Sequence, residues 1–273
     1  MFITSQNNPT VRLAASLSAK KQRDTTGLYI VEGPNIIREA LAQGCALQTL
    51  FFSDEIAADT RALELAEIRR MAAESAIQPD IVTLGRDAFK RIAQTETSQG
   101  IAGIAKKRYS TEQDVFRCAG ANVLVLDRIQ DPGNLGTLLR TAEAAGFSGA
   151  LLMKGCGDAY GPKAVRAASG TLFRLPLLQV DTAQEAIRLL KAHGKRIYAA
   201  DAGAPVDYYD CDIARDAAIV IGNEGNGISK EWARCADVRL SIPMAGQAES
   251  LNAALAGGII MYEAYRQKRT DMK

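Results

Sequence analysis

At 273 residues with 47% hydrophobic side chains, the chain holds enough apolar material for one large domain or two medium ones. Its 33 Lys and Arg against 31 Asp and Glu leave a formal net charge of +2, which excludes a global basic footprint and confines any nucleic-acid binding to local patches. No apolar run approaches the roughly 18 residues that span a bilayer, and MFITSQNNPT carries no charged stretch leading into an apolar one, so a cytoplasmic protein without a membrane partner is expected.

Residues 8–19 read as a helix, YIVE at 29–32 as a strand, and PNIIREALAQG at 34–44 as a helix ended by Gly44. ALQTLFF follows as a strand, ADTRALELAEIRRMAAES at 58–75 as a long amphipathic helix, and Ile81 to Leu84 as a short strand. A helix at 86–93 and the strand GIAGIAK complete a compact α/β unit over residues 1–108. The polar stretch YSTEQDVFRCAGAN at 109–122 breaks this rhythm and is assigned as a linker. The second unit, 123–273, opens with the apolar strand VLVL at 123–126, and further strands are predicted at 150–153, 175–180, 196–201, 217–222 and 238–243. Continuous apolar strands alternating with helices predict a mainly parallel sheet covered on both faces. Ligands in such sheets sit beyond the carboxyl ends of the strands, which brings forward the loops after Leu126, Ile221 and Ile242.

Each of these loops combines Gly with Asn, Glu or Ser. In DPGNLGTLLRTAEAAG, Pro132 and Gly133 make a turn, Asn134 is the expected N-cap, and Arg140 lies six residues on, where pairing with Glu143 is the ordinary surface arrangement. In IVIGNEGNGIS, Gly222, Asn223 and Glu224 stand at a strand end without the order of a dinucleotide loop. The third segment runs from Leu240 through Pro243, Met244 and Gly246 to a helix opening with Glu249, Ser250, Leu251 and Asn252. Ser250 and Asn252 there serve either as caps for the first backbone donors or as groups facing a ligand at the positive end of the helix. The cysteines Cys45, Cys118, Cys156, Cys211 and Cys235 are scattered and never spaced C-x-x-C, so neither a disulfide framework nor a metal is expected. The single histidine, His193, reads as a dipole partner at a helix end, so histidine acid/base chemistry is not expected. Basic clusters occur at Lys20, Lys21 and Arg23, at Lys106, Lys107 and Arg108, and at Arg266, Lys268 and Arg269.

Taken together, N-L-G-x-x-x-R-x-A-x-x-x-G at 134–146, G-N-E-G-x-G at 222–227 and I-P-M-x-G-x-x-x-S-L-N at 242–252 resemble the SpoU, or TrmH-type, RNA 2′-O-ribose methyltransferases. All three motifs appear in order and span the second unit, while IVEGPNIIREAL in the first unit is similar to the small substrate-binding domain attached to many of these enzymes. The resemblance implies an α/β fold with a C-terminal trefoil-knotted SPOUT domain and a small ribosomal-protein-like RNA-binding domain before it. The general rule against threaded chains would have led elsewhere. It implies S-adenosylmethionine as cofactor, RNA as substrate and partner, and a homodimer whose interface helps form the active site.

Carried onto this sequence, the resemblance places Gly222, Asn223, Ile242, Met244 and Leu251 against the cofactor, and Asn134, Arg140, Glu224, Ser250 and Asn252 as catalytic residues where the ribose meets the methyl group. Asn223 replaces a frequent Ser or Ala, and Ala253, Ala254 and Leu255 replace a frequent V-S-V run. Lys20, Lys21, Arg23 and Lys106 are the expected RNA contacts. Because an arginine stays charged, Arg140 is better suited to stabilising a developing alkoxide than to accepting its proton. The expected activity is S-adenosylmethionine-dependent 2′-O-methylation of ribosomal RNA. A tRNA-directed enzyme and a catalytically inactive RNA-binding relative are the alternatives, whereas a nicotinamide dehydrogenase lacks its G-x-G-x-x-G after the first strand.

Overall fold

The computed structural model describes residues 1–55, 62–75 and 77–270, so residues 58–61 of the helix expected at 58–75 lie outside the described residues. The chain divides into two units, Met1–Lys107 with Tyr160–Phe173, and Arg108–Ala159 with Arg174–Lys273.

The first unit holds β1 (Phe2–Ile3), β2 (Leu28–Glu32), β3 (Leu47–Ser53), β4 (Asp80–Leu84) and β5 (Ile101–Lys106) in the order β1-β4-β3-β5-β2. β5 is antiparallel to both neighbours, whereas β3, β4 and β1 run parallel. Helix Pro9–Ser16 begins with proline, and Asn8 Oδ1 caps it by accepting from the Thr10 N–H at 2.9 Å. Its Val11 and Ala14 pack with Ala88, Phe89 and Ile92 of helix Arg86–Ile92 over Ile30, Phe51, Val82 and Ile104 of the sheet. Each fully buried aliphatic or aromatic side chain of this kind contributes about 1.5–3 kcal/mol. The two-residue strand β1 and helix Lys20–Thr26 were not predicted. Helix Pro162–Ala168 belongs to this unit despite its place in the sequence, packing on β2 beside Tyr160, whose ring lies 4.9 Å from that of Tyr29.

In the second unit β6 (Val123–Asp127), β7 (Gly149–Met153), β8 (Leu177–Val180), β9 (Arg196–Ala200), β10 (Val206–Asp207), β11 (Ala217–Gly222) and β12 (Val238–Ser241) form one sheet in the order β10-β12-β9-β11-β6-β7-β8. Every pairing is parallel. The unbroken apolar sequences follow from burial on both faces: Val123, Leu124, Val125 and Leu126 are all solvent-inaccessible. The stretch expected as a linker contains helix Glu112–Val115, closed by reciprocal bonds between Thr111 and Asp114. The last helix starts at Ala253, later than expected, and runs to Thr270 against helix Pro132–Ala144 and β11. Gly257 permits that approach, because a Cβ there would stand 2.3 Å from Leu138 Cδ2.

Candidate active site

The loops following β6, β11 and β12 are joined by side chains far apart in sequence. Helix Pro132–Ala144 is capped by Asp131, whose Oδ1 accepts from the Asn134 N–H at 2.8 Å. Asn134 is therefore inside the first turn and not the cap expected of it. The reason is Pro132, whose fixed φ and missing N–H suit the first helical position and make the preceding Asp131 the cap. This leaves the Asn134 amide available for other partners. Its Nδ2 donates to Glu224 Oε1 at 3.1 Å, and its Oδ1 accepts from Asn252 Nδ2 at 3.0 Å. One residue from each motif thus enters a single network.

Glu224 also accepts from the Gln130 and Asp131 N–H groups, at 3.3 and 3.2 Å. Burial by itself raises its carboxyl pKa, but the bonds from Asn134 and the surrounding backbone outweigh that, and the group titrates below its ordinary value of 4.5. Because the folded-state value is depressed, these bonds stabilise the native protein above the ordinary carboxylate range, and the contribution is lost as pH falls through the folded pKa. Replacing Glu224 by Gln is therefore expected to flatten the acid limb of a stability profile below about pH 4.5, read as Tm against pH. Superimposable acid limbs would show that the carboxylate is not held this way.

Asn252 acts as a cap after all, its Oδ1 accepting from the Ala254 and Leu255 N–H groups at 2.9 and 3.3 Å. Its amide nitrogen reaches Asn134, so capping and site-building coexist. Asn223 shapes its loop: Oδ1 accepts from the Gly225 and Asn226 N–H groups, both at 3.1 Å, and Nδ2 donates to the Arg128 carbonyl at 2.9 Å. Asp127, which the sequence reading passed over, is 3% exposed and accepts from Arg128 Nε at 3.0 Å and from the Ser229 N–H at 2.6 Å. Arg128 has φ +61°, a left-handed conformation uncommon outside glycine, at the point where the first loop leaves the sheet. The available signals were an acidic residue closing an apolar strand and the Asp-Pro pair four residues later.

Beside this network lies a cavity of about 430 Å³ lined by Gly222, Asn223, Ile242, Met244 and Leu251, together with Glu224 and Ser250. Its size falls in the roughly 300–1,000 Å³ range of small-molecule sites. Ile221, Leu240 and Ile260 make part of its wall apolar, while the loops supply backbone polar groups. A Cβ at Gly222 would stand 2.2 Å from Gly227 C and Ile228 N, so the loop closes tightly over this residue and only glycine fits.

Arg140 is set apart. It is exposed, no hydrogen-bond or ion-pair partner is found for it among the described residues, and it does not line the cavity. Glu143, its expected partner, instead pairs with Arg174 at 2.9 Å. In the first unit Lys20, Lys21 and Lys106 are exposed. Arg23 corrects the expectation of a surface cation: it is 4% exposed, and its guanidinium donates to the Leu17 and Ser18 carbonyls at 2.6 and 2.8 Å. It ties the end of one helix to the next, since those carbonyls lack intrahelical partners. His193 ends helix Ala183–Ala192, its Nε2 lying 2.7 Å from Glu112 and its ring stacking on Phe116.

Residues 121–262 match the model of the SpoU rRNA Methylase family, and residues 8–103 match the MRM3-like substrate binding domain. The chain is 33% identical over 262 residues to the 23S rRNA (guanosine(2553)-2'-O)-methyltransferase RlmP of Bacillus subtilis, covering 95% of this chain and 97% of that protein. It is 32% identical over 272 residues to the 23S rRNA (uridine(2479)-2'-O)-methyltransferase of Streptomyces viridochromogenes, covering 97% and 92%. The crystal structure of an AdoMet-bound rRNA methyltransferase from Sinorhizobium meliloti superposes with a TM-score of 0.86 at 32% identity, over 97% of each chain.

Proposed function

This chain belongs to the SpoU rRNA methylase family, and we propose that the cavity beside Gly222 holds the S-adenosylmethionine from which it methylates a ribose 2′-hydroxyl of ribosomal RNA. The observation that carries this reading is the meeting of Asn134, Glu224 and Asn252 in one network at the edge of a cavity lined by Gly222, Ile242 and Leu251. The cavity suits the cofactor in volume, in its apolar wall for an adenine, and in its loop backbone for polar groups. When bound, S-adenosylmethionine supplies a methyl group on a sulfonium, whose sulfur takes the bonding electron pair as the ribose oxygen takes the carbon.

The chain's own residues have two tasks, aligning the hydroxyl and handling the charge that grows on it. Asn134 and Asn252, fixed by each other and by Glu224, orient the ribose. Ser250 shapes the pocket from the third loop. Arg140 stabilises the developing alkoxide, while the proton leaves to solvent or phosphate. Within its own helix Arg140 lies about 9 Å along the axis from Asn134 and about 120° around it, so it serves a site other than the one Asn134 lines. A homodimer supplies that site: Arg140 of one protomer reaches the pocket of its partner. The exposed stripe Leu255, Ile259 and Tyr262 on helix Ala253–Thr270 supports this reading as an apolar face for such a contact.

The trefoil knot is part of the same proposal, supported by the insertion of β12 between β10 and β9 before the last helix returns to β11. So is the division of labour, with residues 1–108 gripping RNA through surfaces that include Lys20, Lys21 and Lys106, 109–122 connecting, and 123–273 catalysing, in the cytoplasm. Relatives of similar identity are named for a guanosine and for a uridine, so the base is selected by features that vary within the family. Calorimetry tests the cofactor assignment: the protein is expected to bind S-adenosylmethionine and not NAD. Absence of S-adenosylmethionine binding would remove the basis for a transferase.

A further inference from the structure

The net charge of the chain is only +2, yet three helices of the first unit concentrate cations. Helix Pro9–Ser16 carries Arg12, helix Lys20–Thr26 carries Lys20, Lys21 and Arg23, and helix Arg86–Ile92 carries Arg86, Lys90 and Arg91, against only Asp24 and Asp87. Asp24 is already engaged by Lys107 at 2.7 Å, and Arg23 is buried. The remaining cations are exposed. Their placement is not scattered. Arg12 and Arg91 line one concavity of about 590 Å³, whose wall Gln22 places next to the helix bearing Lys20 and Lys21. Arg86 and Lys90, one turn apart, line a second concavity of about 660 Å³ together with Glu55 and Glu96, and Arg86 pairs with Glu55 at 3.2 Å. Helix Arg86–Ile92 is therefore a ridge with basic side chains on both flanks, and the guanidinium groups of Arg12 and Arg91 have no hydrogen-bond or ion-pair partner among the described residues.

We propose that this ridge, with Arg12 and Arg91 in the concavity on one side and Lys90 on the other, binds the phosphodiester backbone of the substrate RNA. The inference rests on the reading of the chain as an RNA methyltransferase and gives its first unit a specific contact surface. Arg12 and Arg91, without carboxylate partners, present their donor forks to anions, and phosphate oxygens accept such forks bidentately. Contacts to the backbone carry no sequence information, so this surface supplies affinity and register while selection of the nucleotide occurs elsewhere. A wall combining apolar Leu13 and Ala15 with Ser16 and Gln22 suits the sugars between the phosphates.

The test uses the full-length protein and a fluorescein-labelled RNA hairpin, with anisotropy measured across about 50 to 200 mM salt. Each phosphate released should lower the log–log salt slope by roughly one unit, so the double variant Arg12→Gln/Arg91→Gln is expected to lose about two units of slope. Arg12→Lys/Arg91→Lys is expected to keep most of it, because the charge is retained. Calorimetric binding of S-adenosylmethionine should be the same in all three proteins, which also verifies that they are folded. A Gln variant with wild-type slope overturns the surface assignment while leaving the methyltransferase reading intact. A wild-type protein that binds S-adenosylmethionine but binds RNA without salt dependence overturns both the surface and the electrostatic role of the first unit.

Discussion

Replacing Arg140 by alanine is expected to lower kcat for methyl transfer by about 10²–10³-fold while leaving S-adenosylmethionine affinity unchanged, the loss typical of removing one preorganised charge-stabilising donor. The separation of the two effects follows from geometry. Arg140 is exposed, does not line the cavity proposed for the cofactor, and stands on a helix whose cap and core residues do not depend on it. In the proposed role its charge matters only when negative charge appears on the ribose oxygen, so the loss should fall on kcat and not on binding. The proposed homodimer, in which Arg140 serves the partner's pocket, predicts that mixing Arg140→Ala subunits with Asn134→Ala subunits restores activity, since some mixed dimers retain one site with both residues. Undiminished kcat in the Arg140→Ala protein would remove Arg140 from the reaction, and no recovery on mixing would remove the shared site.

Gly222→Ala is expected to weaken S-adenosylmethionine binding by tenfold or more, about 1.4 kcal/mol, and to cost about 1–3 kcal/mol of stability. The added methyl would meet backbone atoms of Gly227 and Ile228 at 2.2 Å, not the end of a movable side chain. The loop has little room to yield, because Asn223 and Gly227 exchange backbone hydrogen bonds at 2.9 Å each way and Asn223 is tied to the Arg128 carbonyl. Gly225 provides the control. It lines the same cavity, but a Cβ there would meet only Asn223 Oδ1, at 3.7 Å, an ordinary contact. Gly225→Ala should therefore bind the cofactor nearly as the wild type does. Equal affinities for the two variants would mean that tight closure over Gly222 is not what forms the pocket.

The parallel sheet was legible because its strands are buried on both faces: VLVL and AAIVIG become continuous apolar runs in any doubly covered sheet, whatever their order. That order was not legible, since β12 lying between β10 and β9 depends on contacts no local pattern encodes. Two-residue strands such as Phe2–Ile3 and Val206–Asp207 are too short to show a period. Helix Pro162–Ala168 lies within the 123–273 stretch expected as the second unit, yet it packs with the first. At the site, the three motifs pointed to Asn134, Glu224 and Asn252, which the folded chain joins in one network, but how they bond to one another was not legible. Asn134 looked like a cap until Asp131 was seen to occupy that position, and Arg23 looked like a surface cation until its guanidinium was found on buried carbonyls. The bond from Asn252 to Asn134 joins residues 118 positions apart and exists only in the folded chain.

The most direct test is to incubate the protein with ribosomal RNA and methyl-labelled S-adenosylmethionine, digest the RNA, and locate the label. The chemistry described predicts label on one ribose 2′-oxygen of ribosomal RNA, dependent on Asn134 and Arg140. Label on a base, or none in RNA from a protein that binds S-adenosylmethionine, would contradict it.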